Sequence, residues 1–519
     1  MSDFEDEINY QYLIPDNWKW TTVENVAQKE KGSIRMGPFG SQLKKAELTD
    51  KGIRVLWIEN VVKNEFEYKQ GKFITEKKYE QLKGFTVTPD ELLITMMGTI
   101  GRVAIVPDDI GRAIISSHLL RIRLDNQLCE PKYMKYFILS NNAKRQMDKK
   151  SRGVVMKGLN TKIIKSIVFP LPPFAEQGRI VNKLEELFTK LDAGVTSFQN
   201  VKAQLQLYRQ AVLKHAFIGK LTEDWRKTHK DTIEPEAILL ANILKEQKIK
   251  GKERDSEPPK IEISVLPELP EAWTLIRVKD ITESMKNGIY KPKQYYADKG
   301  IACLRMYNIQ KGSINWVNIK RMTLTPVEIE DYGLKQGDIL LNRVNSRELV
   351  GKAAVISSEL EPCVFESKNI RLRIVRKLMN NKFLNYWLLY FGQRYFNSNA
   401  QQTVGMASVN QTQLGSMPIP FTSLIEQNLI VERIEAIFSI CDTTENIVEK
   451  RIMQSELLRQ SILKRAFSGK LVAQDPADEP AEKLLETIRK EKEKTSNLKG
   501  SSRRKTSKRN QRRLKGYVE

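Results

Sequence analysis

One segment with a helical pattern occurs twice in this chain of 519 residues. Residues 208–221 read YRQAVLKHAFIGKL and residues 458–471 read LRQSILKRAFSGKL, an offset of 250 positions. Solenoid repeats have periods of about 20 to 50 residues, so a period this long indicates the duplication of a whole domain with a helical appendage. A chain of this length also has enough material for several hydrophobic cores.

Other matching segments follow in the same order through both halves of the chain. They are IPDNWKWTTVENV (14–26) with LPEAWTLIRVKDI (269–281), DKGIRVLWIEN (50–60) with DKGIACLRMYN (298–308), SHLLRIR (117–123) with SKNIRLR (367–373), and the Glu-Gln pairs at 176–177 and 426–427. Because both the residues and their order match, we predict two copies of one plan, a tandem repeat.

The front part of each copy alternates short apolar runs with turn residues. Runs of this kind, bounded by Gly, Pro and Asp, are typical of β-strands. They are RVLWI, ELLITMM, RVAIV and HLLRIRL in the first copy, and DILLNRV, KAAVI and NIRLRIV in the second. A single helix is predicted to follow in each copy, at 131–147 and at 380–395. We therefore predict the α+β class, with one mixed α/β domain in each copy.

The rear part of each copy is predicted to be one long helix. It follows a proline break, PLPP at 170–173 or PIP at 418–420, because proline favours helix starts. In the first copy apolar residues then recur every three or four positions, the spacing of a coiled-coil seam, and the second copy repeats this pattern more loosely in the middle. They are Ile180, Leu184, Leu187, Leu191, Val195, Phe198, Val201, Leu205, Tyr208 and Val212, and then Ile430, Ile434, Ile437, Cys441, Val448, Ile452 and Ile462. Gly219 and Gly469 are expected to end the helices, and each helix is the simplest partner for the other.

These patterns divide the chain into six segments. The predicted segments are a first domain at 1–170, a long helix at 171–225, a charged linker with a short helix at 226–268, a second domain at 269–419, a second long helix with a short helix at 420–492, and a basic disordered tail at 493–519.

The charge of the chain narrows the class of its partner. Lys and Arg number 86 against 63 Asp and Glu, a net charge of +23. The segment from Arg489 onward holds 13 basic and three acidic residues, so the rest of the chain is also basic. Such a balance favours a polyanionic partner, most often nucleic acid. The four cysteines are widely separated and no apolar run approaches about 18 residues, so we expect a reducing cytoplasm and neither a disulfide framework, a zinc site nor a membrane span.

Features that could indicate catalysis have better structural interpretations. LPPF at 171–174 resembles the D/NPPY/F loop of adenine methyltransferases, but Leu171 cannot accept a hydrogen bond from a target amino group. The acidic turns at 89–91 and 107–109 lack the spaced lysine of a nuclease site, and the chain has no P-loop. We expect this chain to have no catalytic residues, no metal site and no enzymatic activity of its own.

Two polar, glycine-containing loop systems are candidates for binding nucleic acid. Glycines let a backbone approach phosphates, Lys and Arg supply charge, and polar groups read base edges. An ordinary basic surface hairpin is an equally good interpretation of each loop alone. The candidates are Arg35, Gly37, Ser41, Lys44, Lys45, Arg102, Arg152 and Lys157 in the first copy, and Lys291, Lys293, Arg343, Asn345 and Arg347 in the second.

The complete set of motifs resembles the specificity subunit of type I restriction-modification systems. The resemblance covers nearly the whole chain: two Pro-x-x-Trp starts, two proline breaks, two Glu-Gln pairs, two long helices and two RQ-x-x-LK-x-AF-x-GKL endings. It implies two target recognition domains, each reading one half of a bipartite double-stranded DNA target whose spacer has a fixed length. It also implies that the two helices pack as an antiparallel coiled coil that separates the domains, so that the two copies are related by a pseudo-two-fold axis.

The resemblance further implies that the helices dock two modification (methyltransferase) subunits and the restriction (translocase-nuclease) subunits. S-adenosylmethionine, ATP and Mg²⁺ would then bind to those partners and no cofactor to this chain. The residues repeated on both helices are candidates for docking, with a solvated helix face as the alternative: Arg209, Gln210, Lys214, Lys220, Arg459, Gln460, Lys464 and Lys470. The runner-up function is a coiled-coil scaffold that binds RNA or protein without sequence preference.

Overall fold

A computed structural model describes residues 12–98, 100–151, 159–230, 268–357, 360–399, 401–403 and 406–486, with a few positions between 235 and 245. The predicted tail and most of the predicted linker lie outside these residues. The chain divides into two compact units, a first one of residues 1–198 and 450–519 and a second one of residues 199–449. Each unit contains one mixed domain and part of each long helix.

The first unit is built on a four-stranded sheet of order β2-β10-β7-β8 and a three-stranded sheet of order β6-β3-β9. Two further pairs, β1-β11 and β4-β5, complete it, and β3 with β9 is its one parallel pair among the described strands. The strands are β1 (Lys19–Thr22), β2 (Ile34–Met36), β3 (Ile53–Leu56), β4 (Val61–Val62), β5 (Glu65–Phe66), β6 (Lys72–Ile74), β7 (Leu92–Thr95), β8 (Val103–Ile105), β9 (Ala113–Ile115), β10 (Leu119–Ile122) and β11 (Val168–Leu171).

The second unit has sheets of corresponding order, β13-β23-β19-β21 and β14-β18-β15-β22, again with one parallel pair, β15 with β22, in the described part. Smaller sheets are β12-β26, β16-β17 and β20-β25-β24. The strands are β12 (Thr274–Arg277), β13 (Thr282–Asn287), β14 (Tyr296–Ala297), β15 (Ile301–Leu304), β16 (Ile309–Gln310), β17 (Ser313–Ile314), β18 (Lys320–Met322), β19 (Ile339–Asn342), β20 (Val344–Asn345), β21 (Ala353–Val355), β22 (Cys363–Phe365), β23 (Asn369–Ile374), β24 (Gln401–Thr403), β25 (Met406–Ser408) and β26 (Pro418–Phe421).

Helices follow the predicted strand runs, so the α+β class is confirmed. They are α1 (Val23–Val26), α2 (Glu76–Leu82), α3 (Pro131–Leu139), α4 (Asn141–Ser151), α5 (Thr161–Lys165), α6 (Phe174–Phe217), α7 (Glu223–Thr228), α8 (Pro326–Tyr332), α9 (Asn381–Trp387), α10 (Gln393–Asn399), α11 (Gln411–Gly415) and α12 (Leu424–Phe467). The prediction of a single helix at 131–147 is wrong. Ser140 is extended and its Oγ accepts from Ala143 N, so it ends α3 and caps α4. A π-helical turn, Leu388–Gly392, similarly interrupts the segment at 380–395.

The two long helices are confirmed, each a continuous run of 44 residues. Both end where predicted, because Gly219 and Gly469 have φ values of 73° and 68°, in the left-handed region that glycine adopts without strain. Tyr208 does not lie in the apolar seam and is 53% exposed. The neighbouring Arg209 takes the inward position and lies 4.9 Å from the ring centroid of Phe438.

The repeated segment supplies an aromatic side chain to the core of each unit. Phe467 packs edge-on against Tyr133 and Phe137, with ring centroids 5.3 and 5.1 Å apart. In the second unit Phe217 lies 5.2 Å from Phe383 and 5.0 Å from the ring of Trp387. Because these rings are fully buried, the last turn of each long helix is part of a domain core rather than a free helix end.

Candidate nucleic-acid interface and helix junctions

The Pro-x-x-Trp start of the first copy is tied to the first turn of α6. Trp18 Nε1 donates to Glu176 Oε2 at 2.9 Å, and Gln474 Nε2 donates to Glu176 Oε1 at 2.6 Å. Burial raises the pKa of the Glu176 carboxyl, although both hydrogen bonds oppose that rise. A Cβ on Gly469 would lie 2.3 Å from the ring of Pro15, so only glycine fits between the end of α12 and this start.

The second unit has the same junction with more donors. Trp273 Nε1 donates to Glu426 Oε2 at 2.8 Å, and a Cβ on Gly219 would lie 2.3 Å from Pro270. Arg226 Nη1 donates to Glu426 Oε1 at 2.5 Å, which makes a buried ion pair without a counterpart among the described contacts of Glu176. The remaining donors are the hydroxyls of Thr222 and Thr422, at 2.7 and 2.6 Å. Four donors therefore surround this carboxylate.

The glutamine of each Glu-Gln pair fastens its domain to the helix. Gln177 Oε1 accepts from Glu130 N at 2.9 Å, and Gln427 Oε1 accepts from Asn380 N at 2.9 Å. Each Nε2 donates to two backbone carbonyls. The Trp and Glu-Gln residues that carry the resemblance thus have structural roles.

The arginines predicted to dock partners make contacts within the chain. In the second unit Arg209 pairs with Asp442 at 2.6 Å, and in the first unit Arg459 pairs with Asp192. Arg459 also lies 4.2 Å from the ring centroid of Phe188. These arginines hold parts of α6 and α12 together inside each unit.

The other docking candidates are mostly available at the surface. Gln460 is half-buried, and its Oε1 accepts from Asn141 N at 3.0 Å. The exposed candidates are Gln210, Lys214, Lys220, Lys464 and Lys470. Docking by any of these residues stays a prediction.

In the first unit, the parallel strands β3 and β9 end side by side. Leu56 pairs with Ile115, so Trp57 and Ser116 follow at the same sheet edge, and Trp57 lies 5.6 Å from His118 between ring centroids. Trp57 Nε1, Ser116 Oγ and His118 Nδ1 are buried and have no hydrogen-bond partner within the described part of the chain. We call Trp57, Ser116 and His118 the first strand-end cluster.

The second unit places different chemistry at the same position. Leu304 pairs with Phe365 in the parallel strands β15 and β22, so Arg305 and Glu366 follow them. Glu366 Oε1 accepts from the backbone N–H after Arg305 at 2.9 Å, and Arg305 Nε is buried without a partner among the described residues. Lys368 is exposed two positions beyond Glu366. We call Arg305, Glu366 and Lys368 the second strand-end cluster.

A glycine brings one further loop onto each cluster. A Cβ on Gly37 or on Gly288 would lie 2.1 Å from the carbonyl oxygen of the middle cluster residue, Ser116 or Glu366. Gly37 therefore has a packing role, whereas its predicted role was to let a backbone approach phosphate. Two residues after each glycine is an aromatic side chain, Phe39 or Tyr290, which is 53% or 79% exposed.

The predicted DNA-binding residues of the first copy fall into three groups. Arg35 is used structurally, since its guanidinium lies 3.9 Å from the ring centroid of Phe85 and donates to Gly84 O at 3.3 Å. Arg152 and Lys157 lie outside the described residues. Ser41, Lys44 and Lys45 are exposed, and Arg102 is half-buried.

The predicted DNA-binding residues of the second copy include some with internal contacts and some that are exposed. Lys291 pairs with Glu328 at 2.5 Å, and Arg343 Nε donates to Val409 O at 3.3 Å. Asn345 Nδ2 donates to Asn342 Oδ1 at 2.8 Å. Lys293 and Arg347 are exposed. Contact of these candidates with DNA stays a prediction.

Sequence reasoning missed the strand-end clusters as sites. Trp57 matches Arg305 within the paired segments at 50–60 and 298–308, and His118 matches Lys368 within those at 117–123 and 367–373. A usable signal was therefore present, namely a change of polar chemistry inside otherwise matching segments. It was not interpretable alone, because nothing in the sequence brings the two segments together.

The acidic turns have structural partners. Asp90 is a turn residue with φ of 65°, and Asp109 accepts from the Tyr68 hydroxyl at 2.7 Å. Glu91 is more than a turn acid, because it is 2% exposed and accepts from Arg123 Nε at 2.5 Å. The carboxylates of Asp109 and Glu91 therefore have hydrogen-bond partners within the first domain.

Other features typical of enzymes or membrane proteins are accounted for. LPPF at 171–174 forms the passage from β11 to α6, and Leu171 is fully buried. In the described part of the chain no helix is long and apolar enough to span a bilayer, and no group of three or more His, Cys, Asp and Glu could hold a metal ion.

Comparison with known proteins identifies the class. The chain belongs to the family of the type I restriction modification DNA specificity domain, whose family model matches residues 15–197 and again 270–453. The type I restriction enzyme EcoBI specificity subunit of Escherichia coli is 23% identical over 515 residues, covering 96% of this chain and 98% of that protein. The EcoKI specificity subunit of Escherichia coli strain K12 is 25% identical over 383 residues, covering 72% and 74%.

The fold is also similar to that of a solved chain. That structure concerns complex assembly and conformational transition of the type I restriction-modification system. The alignment covers 89% of this chain and 100% of the other, with a TM-score of 0.62 and 17% identity. At this identity the likeness shows the fold alone.

Proposed function

We propose that this chain is the DNA sequence-specificity subunit of a type I restriction-modification complex. The observation that carries the proposal is the double match to the specificity-domain family, one match on each mixed domain. Each domain reads one half of a bipartite duplex target, and a spacer of fixed length separates the halves. The different polar groups of the two strand-end clusters support this, because two readers of different half-sites need different donors and acceptors.

The pairing of the long helices is the second part of the proposal. The three shortest of the ion pairs that join α6 to α12 inside the units are Arg209 with Asp442, Lys202 with Glu449, and Asp192 with Arg459. The residue numbers of each pair add up to the same total, 651, which supports an antiparallel arrangement. Asp192 and Arg459 also lie 250 positions from Asp442 and Arg209, as expected of a pseudo-two-fold repeat.

The catalytic activities of the complex are assigned to its partner subunits. Two modification subunits supply methyl transfer from S-adenosylmethionine, and restriction subunits supply ATP- and Mg²⁺-dependent translocation and cleavage. The exposed residues repeated on both long helices, such as Lys214 and Lys464, are the proposed docking positions. The six-segment division predicted from the sequence is retained as part of this proposal.

Binding by the full chain should depend on both salt and sequence. We expect affinity for duplex DNA to fall with rising salt, because basic side chains displace counterions from phosphates. We also expect the host's methylated duplex motif to be preferred over a scrambled duplex by about 10³-fold or more. Competition binding at two salt concentrations measures both effects. Salt dependence without sequence preference would instead support the alternative, a basic coiled-coil scaffold.

The spacer should follow helix length. Inserting about one helical turn, four residues, at the middle of both α6 and α12 should change the spacer of the methylated motif and leave both of its halves intact. Methylome sequencing of the host reads the motif directly. An insertion of four residues at the exposed start of the linker, after Lys230, is the matched control. A spacer that stays the same with the helix insertions would contradict the role of the helices in setting it.

A further inference from the structure

We infer that the two strand-end clusters are the base-reading sites of this chain, with Phe39 and Tyr290 stacking beside them. The inference rests on the proposed function and deepens it, because it names the residues that set each half of the target. The clusters, rather than the loops that carry Lys44, Lys45 and Lys293, are then the source of sequence preference. Those lysines keep the role of phosphate contact.

The position of the clusters is the first argument. Both lie beyond the carboxyl ends of the one described pair of parallel strands in their unit, β3 with β9 or β15 with β22. Both are also covered by a loop that approaches so closely that it requires glycine. The scaffold around the clusters is therefore the same in the two units, while the cluster side chains differ. A shared scaffold with exchanged polar groups is what two readers of different sequences require.

The unmet hydrogen-bonding capacity of the first cluster is the second argument. Buried polar atoms nearly always have a partner, because leaving one unpaired costs about 1 to 3 kcal/mol. Ser116 is 1% exposed, yet its Oγ has no partner among the described residues, and the same holds for Trp57 Nε1 and His118 Nδ1. Rotamer changes at an interface are common on binding, so these groups can turn to a base edge. Donors and acceptors on base edges would satisfy all three.

The charges of the second cluster are the third argument. Arg305 can donate two hydrogen bonds to the O6 and N7 of guanine, and a carboxylate such as Glu366 accepts from the amino group of cytosine. A carboxylate is repelled by phosphates, so its place in a basic protein favours contact with a base over contact with the DNA backbone. One oxygen of Glu366 is held by a backbone N–H at 2.9 Å, which fixes the direction of the other.

The exposed aromatic residues are the fourth argument. Phe39 and Tyr290 occupy the same position in the two copies, two residues after Gly37 or Gly288. Both stay largely exposed in units that bury most of their large apolar side chains. A ring at this position gains by stacking on a base, an interaction available with every base and therefore independent of sequence.

Methylome sequencing of the host tests the inference with single substitutions in the full chain. Ser116→Ala and His118→Ala should each relax one position in one half of the methylated motif, and Glu366→Gln and Lys368→Ala should do so in the other half. We expect the discrimination against the wrong base at that position to fall by about 5- to 150-fold. Phe39→Ala and Tyr290→Ala should lower methylation of the whole motif without changing it.

The matched controls are Lys45→Ala and Lys293→Ala, exposed lysines of the same loops. They should reduce methylation evenly at all sites, since a phosphate contact carries no base preference. Ser116→Ala removes a single oxygen atom and therefore decides the test if His118→Ala fails to fold. An unchanged motif in all four cluster variants, with the wild-type level of methylation, would overturn the inference while leaving the proposed function standing. A host that keeps its motif after deletion of the whole chain would overturn both.

Discussion

Replacing residues 15–170 with the corresponding domain of another specificity subunit changes one half of the methylated target and leaves the other half intact. This result is expected because the first domain has its own sheets, while its core continues into both long helices through residues such as Leu184 and Phe467, where the donor domain must present a matching apolar surface. The donor domain has to keep the proline that packs on Gly469 and the tryptophan that donates to Glu176. Methylome sequencing of a host that carries the exchanged chain measures the outcome.

The chain offers its own matched control for this exchange. Residues 270–420 have the same ends, with Pro270 and Trp273 in the places of Pro15 and Trp18. Placing a copy of 270–420 in the position of 15–170 should give a target with two inverted copies of one element, because duplex DNA has local two-fold axes. A change in both halves after the heterologous exchange, or in neither, would contradict the model of two readers.

Glu426→Gln should destabilise the second unit by about 3 to 5 kcal/mol, the usual cost of removing one partner of a buried ion pair. The substitution leaves Arg226, whose side chain is 13% exposed, without its carboxylate. It also places an amide N–H₂ opposite donors that point at a carboxylate oxygen in the wild-type chain, namely the hydroxyls of Thr222 and Thr422 and the indole N–H of Trp273. Hydrogen exchange in the last turns of α6 and the first turns of α12 measures the loss locally.

Glu176→Gln is the matched control in the first unit. Glu176 accepts from two described side-chain donors, Trp18 at 2.9 Å and Gln474 at 2.6 Å, and has no ion pair among the described residues. Burial already raises the pKa of this carboxyl, so a neutral side chain is closer to what the site favours. We expect a cost of about 1 kcal/mol, that of one weakened hydrogen bond. Equal costs at the two positions would show that the ion pair with Arg226 contributes little.

Several elements could be predicted because their signals are local. Apolar spacing and proline breaks placed both long helices, and the glycines near the end of each repeated segment placed their ends. The single helix predicted at 131–147 was wrong because a serine can end one helix and cap the next without a break in apolar spacing. Tyr208 was misplaced for a related reason, since periodicity does not decide which of two neighbouring side chains turns inward.

The sequence did not show which of the charged candidate residues have partners inside the chain. Arg35, Lys291 and Arg343 have the composition of nucleic-acid ligands, but the folded chain uses them for internal contacts. Arg209 and Arg459 repeat in both copies because each pairs with an aspartate, so their repetition did not by itself indicate docking. A charged residue type predicts what a side chain can bind and leaves open whether the protein itself supplies the partner.

The sequence by itself determined the duplication, the long helices and the family, because each depends on residue order or on spacing along the chain. Only the tertiary structure brought together the residues of each strand-end cluster. Trp57 and Ser116 are 59 positions apart, and Arg305 and Glu366 are 61 apart. They become neighbours through the parallel pairing of β3 with β9 and of β15 with β22. The register of a parallel pair depends on the packing of a whole domain, and no local pattern encodes it.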